Sequence, residues 1–402
     1  MLHIAGGVYG EYCMHPNWCE LFGSGGRAAS AVVQVGGQAT LHTYLDTANT
    51  ETLNGRSALE GFVLNASSVS EGVSFSYHHP LSVPSIRKPS IKYKSIRVAE
   101  EKVIRFGMIE GDAIVDAEYA VYDPQNVYSP EGFQDNGSKA QHLAVVLNRH
   151  EASALSELSG ATPEDMARKI SSVSRAEIVV IKMGAKGALV YENDLFTRIP
   201  AFQTDRVWKI GSGDNFVALF SYFWMEEQRH AVEAAELASK ATAYYCANQG
   251  FATSKCLTDF KLQKIQLSER YQNGYSPLVY LAGPFFTLAE LWLVDQARNN
   301  LREMGLRVFS PYHDVGHGSA DDVVSLDLKA LAECDVVFAI GDSLDSGTVF
   351  EVGYARPLGK PTILYSENES DSDKKMMLGS GCILCDDYVT SIYKTLWTAA
   401  KL

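Results

Sequence analysis

The chain is short of positive charge, of pairable cysteines and of long apolar runs. Its 35 Lys and Arg stand against 48 Asp and Glu, a formal net charge of −13 over 402 residues. The acids are dispersed and no basic stripe is present. That excludes a nucleic-acid groove and a polybasic membrane surface, which both need clustered Lys and Arg. Small anions are not excluded, because a few backbone N–H groups and one lysine hold a phosphate locally. Cysteines number seven, an odd count scattered from Cys13 to Cys385. Such a set in a chain this long argues against a disulfide framework and for reduced thiols. Cys382 and Cys385 form one CxxC pair without a second, too few ligands for a structural zinc. No apolar stretch nears the ~20 residues of a membrane span. The opening MLHIAGGVYG lacks a basic segment followed by a long apolar run. A cytoplasmic protein is expected. Internal repeats and low-complexity tracts are missing too, and the polar run SENESDSDKK (366–375) is expected as an exposed loop.

What is present is apolar material for more than one core. Hydrophobic residues make up 46% of the chain, and the length calls for two or three domains. In the second half, short apolar runs alternate with helix-periodic ones. LVYLAG (278–283), LRVFSP (306–311), DVVFAI (335–340) and PTILYS (361–366) read as strands. LAELWLVDQARNNLREMG (288–305), VSLDLKALAEC (324–334) and the stretch from Thr348 read as helices. This alternation predicts a parallel, doubly wound sheet. The first half repeats the grammar on a larger scale. QHLAVVLN (141–148), EIVVIKMG (177–184) and ALVYEN (188–193) read as strands, and HEASALSELSG, EDMARKISS and a long segment from Ser212 to about Asn248 read as helices. Between Phe62 and Ile114 the pattern breaks into short strand-like pieces. FKLQKIQLSERYQNGYSP (260–277) is weakly periodic and marks a linker.

Two stretches carry chemistry. DSGTVFEVGYA (345–355) follows a buried strand, so it lies where open parallel sheets bind ligands, beyond the carboxyl ends. Glu351 is expected in the first helical turn, where the helix N-terminus favours an ionised carboxylate suited to attack a sugar carbon. The same spacing, Thr348-x-x-Glu351, also reads as a capping box with no chemistry at all. The second stretch is KIGSGDNFVALF (209–220). Gly211, Ser212 and Gly213 open a helix and point N–H groups outward as an anion hole, and Asp214 stands in the first turn as a proton acceptor.

YLAGPFFTLAE, SPYHDVG, Asp327 and DSGTVFEVGYARPLGKP together resemble the nucleoside 2-deoxyribosyltransferases and their deoxynucleotide N-hydrolase relatives, over roughly 276–400. The resemblance implies that Glu351 is the nucleophile at C1′ and that Asp327 handles the proton at the base. It further implies that Asp345, with Gly347, holds sugar hydroxyls, and that Tyr280, Gly283 and Phe286 wall the sugar and base. AGPFFT lacks the Arg-Gly-Gly run that grips a 5′-phosphate in the hydrolases, which favours an unphosphorylated nucleoside. His313 and His317 form a loop H-x-x-x-H pair, more often structural than metal-binding. The family completes its pocket with a neighbouring subunit, so a homo-oligomer is expected.

KIGSGDNFVALF, with FGSGGRAASAVVQVGG (22–37), Asn148-Arg149-His150-Glu151 and IKMGAKGALVY (181–191), resembles the PfkB or ribokinase-like sugar and nucleoside kinases, over roughly 1–258. This implies ATP and Mg²⁺ as cofactors. Gly211, Ser212 and Gly213 would be the anion hole and Asp214 the base. Asn148 and Glu151 would help place Mg²⁺ and phosphate, with Gly184 and Gly187 near the nucleotide. The sugar side departs from the family. Trp208-Lys209-Ile210 replaces the Asp-Thr lead-in, only Glu11 is offered where an early Asp binds hydroxyls, and Ser30 replaces an Asn.

The expected architecture is α/β: a ribokinase-like three-layer domain at 1–258, a linker at 259–276, and a flavodoxin-like parallel-sheet domain at 277–402. The expected function is bifunctional, phosphorylating a sugar or nucleoside hydroxyl and cleaving or exchanging an N-glycosidic bond. The alternatives are a glycosyl enzyme with a silent nucleotide-sensing kinase-like domain, and a sensor with both sites silent.

Overall fold

The computed structural model describes residues 1–126, 129–316 and 318–402. The chain divides into two compact units, one of 1–204 with 208–264, the other of 205–207 with 265–402.

Unit 1 is built on a nine-stranded sheet. Its order is Leu195–Ile199, Ala188–Glu192, Ile178–Lys182, Lys139–Asn148, Ala113–Asp123, Ile96–Phe106, Leu2–Ala5, Ala39–Asp46 and Val63–Val69. The pairs from Ile178–Lys182 onward are parallel, and the first two pairs are antiparallel. The strand QHLAVVLN shows why its apolar run is unbroken. Ala144 and Val146 pack with the helices Gly23–Gln34, Ser212–Ser221 and Ala231–Asn248. Leu143, Val145 and Leu147 pack on the opposite face with Arg149–Ser156 and Pro163–Ser174. Successive side chains point to opposite faces, and both faces are covered, so no polar alternation survives. The result is the expected three-layer α/β/α arrangement.

The irregular stretch after Phe62 contributes to a separate four-stranded sheet, ordered Trp18–Leu21, Tyr9–Cys13, Val73–Tyr77 and Ser85–Arg87. This sheet carries Glu11 on its second strand. The stretch 259–276 holds the short strand Gln263–Lys264, paired with Phe202–Gln203, and the helix Glu269–Gln272.

Unit 2 has five parallel strands, ordered Arg307–Phe309, Leu278–Ala282, Val336–Ile340, Thr362–Tyr365 and Ile383–Cys385. Numbered along the unit this is 2-1-3-4-5, the flavodoxin-like order, whose ligand crevice opens between the first and third strands. The helices Leu288–Glu303, Ala320–Glu333, Ser346–Ala355 and Tyr388–Lys401 connect and follow them. The polar run from Ser366 is mostly exposed, but it also anchors the loop after the third strand. Asp342 accepts from Ser366 Oγ and the Asn368 N–H, and Glu369 accepts from the Ser343 N–H. Among the described residues no helix is long and apolar enough to cross a membrane.

Candidate functional site

In unit 2 the first strand and the helix after the third strand bring two candidate groups together. Tyr280 stands in the middle of Leu278–Ala282, fully buried, with its ring stacked on Phe309. Its hydroxyl donates to Glu351 Oε1 at 2.5 Å. Glu351 is half-buried, and burial pushes its carboxyl up to about 7. The Tyr280 hydrogen bond opposes that rise, while the charges of Asp327 and Asp345 add to it.

The placement of Glu351 on its helix differs from the sequence reading. The helix spans Ser346–Ala355, so Glu351 lies in the second turn, and the N-cap is Asp345 rather than Thr348. Asp345 Oδ2 accepts from the Thr348 N–H at 2.8 Å and from Thr348 Oγ1 at 3.1 Å. Asp is at least as strong a cap as Thr. A Cβ on Gly347 would sit 3.1 Å from Asp345 Oδ2, so glycine leaves room for the capping carboxylate. The capping-box alternative for Thr348 and Glu351 therefore fails. The helix amides hold Asp345, and a phenol steadies Glu351.

Asp327, on Ala320–Glu333, has its carboxyl raised by burial, and its Oδ1 is buried without a hydrogen-bond partner. A carboxyl in that condition carries a proton readily. Gly283 ends the first strand where a Cβ would press on Ile340 at 3.2 Å. Phe286, expected as a wall, is 73% exposed. Its neighbour Phe285 is the ring that reaches Tyr312. His313 spends its ring nitrogens on Ser310 Oγ and Asp295 Oδ1, at 3.0 and 2.8 Å. His317 lies outside the described residues.

In unit 1 the helix Ser212–Ser221 begins directly after Gly211. Gly211 takes φ +75° at the N-cap, a conformation that favours glycine. Lys182, at the end of its strand, places Nζ 3.6 Å from where a Cβ on Gly213 would be. It pairs with the buried Asp123 at 2.9 Å, whose carboxyl burial pushes up against the lysine's pull. Lys209, from the altered lead-in, donates to Ser212 Oγ at 2.8 Å. Asn148 and Glu151 form a capping box on the helix Arg149–Ser156, with Glu151 Oε2 accepting from the Asn148 N–H. Gly184 and Gly187 have positive φ in the turn between two strands, and a Cβ on Gly187 would collide with the Ile199 carbonyl. Among the described residues no group of three or more His, Cys, Asp or Glu is placed to hold a metal ion.

Asp214 is the surprise. Arg27 Nη1 donates to its Oδ2 at 2.9 Å, and Gln125 Nε2 donates to its Oδ1 at 2.6 Å. Arg27 is fully buried and also grips both oxygens of Glu11, at 3.2 and 2.5 Å. Its Nε donates to the Tyr245 hydroxyl, which in turn donates to the Ile210 carbonyl. The reading of motifs missed Arg27. The available signal was an arginine directly after Gly25-Gly26 in an otherwise small and apolar helix face.

Residues 279–383 match the family model for nucleoside 2-deoxyribosyltransferase, and 124–256 match that for the pfkB family carbohydrate kinases. No curated protein matches the chain. Solved structures with similarity include ribokinase from Thermotoga maritima, 16% identical with TM-score 0.48, covering 65% of this chain and 98% of that one. Phosphofructokinase-2 from Escherichia coli, in complex with potassium, is 15% identical with TM-score 0.48, covering 64% and 96%. A Burkholderia thailandensis nucleoside kinase in complex with inosine is 17% identical with TM-score 0.48, covering 66% and 99%. One chain thus joins a segment matching the pfkB family carbohydrate kinases to a segment matching the nucleoside 2-deoxyribosyltransferases.

Proposed function

We propose that unit 2 cleaves or transfers the N-glycosidic bond of a (deoxy)nucleoside through Glu351. The observation that carries this is the hydrogen bond from the buried Tyr280 to Glu351, on a helix that Asp345 caps instead. Ionised Glu351 attacks C1′, and the bond from C1′ to the base nitrogen breaks with its electrons passing to the base. Asp327 gives the base its proton, and a glycosyl ester remains on Glu351. A second base or water then attacks C1′, passes its proton back to Asp327 and frees the Glu351 carboxylate, in the two-step pattern of retaining glycosidases. Tyr280 favours the ionised form of the nucleophile, and the missing 2′-OH of a deoxyribosyl group eases charge build-up at C1′. Asp345 caps the helix with one oxygen and is proposed to meet sugar hydroxyls with the other.

The test is chromatography of deoxynucleosides incubated without ATP, together with mass spectrometry of the quenched protein. Free base and a deoxyribosyl adduct on the Glu351 peptide are expected. Glu351→Gln is expected to stay folded and release none. Release of base by Glu351→Ala at the normal rate would overturn the reading.

For unit 1 we propose a binding site for the phosphates of ATP at Gly211, Ser212 and Gly213, with Lys182 and Lys209 beside them. This donor set fits phosphate oxygens. It fits Mg²⁺ only as an ion that keeps waters and takes phosphate oxygens, with Glu151 as its proposed support. When bound, ATP supplies a transferable phosphoryl group and Mg²⁺ offsets its charge. Of the two readings of this unit, phosphorylation of a sugar or nucleoside hydroxyl and nucleotide binding without turnover, the Arg27–Asp214 ion pair favours the second. Titration with Mg-ATP and an acceptor panel separates them. Assembly as a homo-oligomer is proposed as well, to be read by light scattering.

A further inference from the structure

Phosphoryl transfer from the proposed nucleotide site would need an acceptor hydroxyl within hydrogen-bond reach of Asp214, about 2.6–3.2 Å. Both oxygens of that carboxylate are already at such distances from groups of the chain itself, Arg27 Nη1 and Gln125 Nε2. The guanidinium also lies on the anion-hole turn. A Cβ built on Gly211 would fall 1.9 Å from Arg27 Nε and 2.1 Å from its Cζ. Arg27 is not a loose side chain that a substrate sweeps aside. It is 1% exposed, and Glu11, Asp214, the Gly23 carbonyl and the Tyr245 hydroxyl accept from its three nitrogens. Removing one member of such a buried ion network leaves the others uncompensated. Glu11 stands on the separate four-stranded sheet, so the pair also ties that sheet to the Gly23–Gln34 helix.

We infer that the Glu11–Arg27 pair occupies the acceptor position of unit 1, so that this unit excludes sugars and nucleosides from Asp214. The inference rests on the reading of unit 1 as a nucleotide site and extends it to the second substrate. Arg27 is then a specificity-determining residue. Asp214 is a positioning residue that holds it.

A small residue in place of Arg27 vacates the position. It also frees Asp214 Oδ2 from its ion pair with the guanidinium. A hydroxyl entering there would bond its oxygen to the γ-phosphorus of ATP. The bond from that phosphorus to the oxygen shared with ADP would break, and the hydroxyl proton would pass to Asp214.

The experiment uses the full chain and a panel of free pentoses, hexoses and polyols. Wild type, Arg27→Ser and the double variant Glu11→Gln/Arg27→Ser are compared, each with its Asp214→Asn counterpart. The double variant guards against unfolding, because it removes one of the orphaned charges. In wild type, acceptor-dependent ADP formation is expected to equal that of Asp214→Asn. In at least one vacated variant it is expected to exceed its Asp214→Asn counterpart at least tenfold. Melting without ATP gives a second readout: a panel member is expected to raise the melting temperature of a vacated variant and not of wild type. Wild type turning over an acceptor in an Asp214-dependent manner would overturn the inference. So would folded vacated variants that neither turn over nor bind any panel member. Failure of Mg-ATP to bind wild type would sink the nucleotide reading alone, since the melting arm needs no nucleotide.

Discussion

Replacing Tyr280 by Phe deletes one oxygen in a buried strand and nothing else, so its effect reports the hydrogen bond to Glu351. That bond is 2.5 Å long and its acceptor is a carboxylate. Hydrogen bonds to charged groups contribute about 1.5–3 kcal/mol. One pKa unit corresponds to about 1.36 kcal/mol, so loss of the bond raises the Glu351 pKa by about one to two units. Glu351 starts near 7, where about half of it is ionised in neutral solution. In Tyr280→Phe the ionised share at pH 7 falls to between about a tenth and a hundredth, and kcat/KM for base release falls about 5- to 50-fold with it. The loss is expected to shrink toward alkaline pH, because the carboxylate is recovered there. The assay is kcat/KM for base release from pH 5 to 9.5, with the folded state checked by melting. An acid limb in Tyr280→Phe that stays at the wild-type position would refute the reasoning, whatever happened to the overall rate.

Other outcomes follow from the same site and from unit 1. The Glu351 carboxyl titrates near 7 in the folded chain against an ordinary 4.5, so its contribution to stability is full below about 4.5 and is lost as pH rises through about 7. Glu351→Gln is therefore expected to abolish base release yet raise stability at pH 8 by about 1–3 kcal/mol, read by urea denaturation, with little gain at pH 5. Asp327→Asn removes the proton carrier and is expected to lower kcat about 10²- to 10⁴-fold, least for substrates whose leaving base needs no protonation. His42 shows the opposite linkage, its pKa pushed by burial down to about 4 from 6.5. Its stabilising share is present above 6.5 and lost as pH falls toward 4, so His42→Asn is expected to flatten the fall in melting temperature over that window. Gly211→Ala combines φ +75° with a collision against Arg27, and a loss of about 2 kcal/mol or more is expected in denaturant titration.

Much of the architecture was legible because both sheets are covered on two faces. Covered parallel strands must be continuous apolar runs, and the helices between them must be amphipathic, so QHLAVVLN and DVVFAI announced themselves by composition alone. The irregular stretch after Phe62 gave no such signal. Val73–Tyr77 and Ser85–Arg87 are short and largely unburied, the first paired with Tyr9–Cys13 far back in the chain, while Ile96–Phe106 is a long strand of the main sheet, not the short piece expected, its apolar pattern broken by Arg97, Glu100, Glu101, Lys102 and Arg105. Glu351, Asp345 and Asp214 were legible as candidates because a carboxylate near a small-residue helix start is a local pattern, whereas Asp327, inside Ala320–Glu333, was reached only through the family resemblance. The helix start before Glu351 was misread by spacing, since both Asp345 and Thr348 are good caps and only the backbone path selects between them.

The sequence by itself determined the alternation of strand and helix, the two α/β units and the loops on which chemistry would sit, because these depend on periodicity and turn residues close together along the chain. The tertiary structure alone decided what those loops face. Tyr280 and Glu351 are 71 positions apart, and Arg27 and Asp214 are 187 apart. Whether a carboxylate is steadied by a phenol or held by a guanidinium depends on which strand ends the fold brings together, and no local pattern records that.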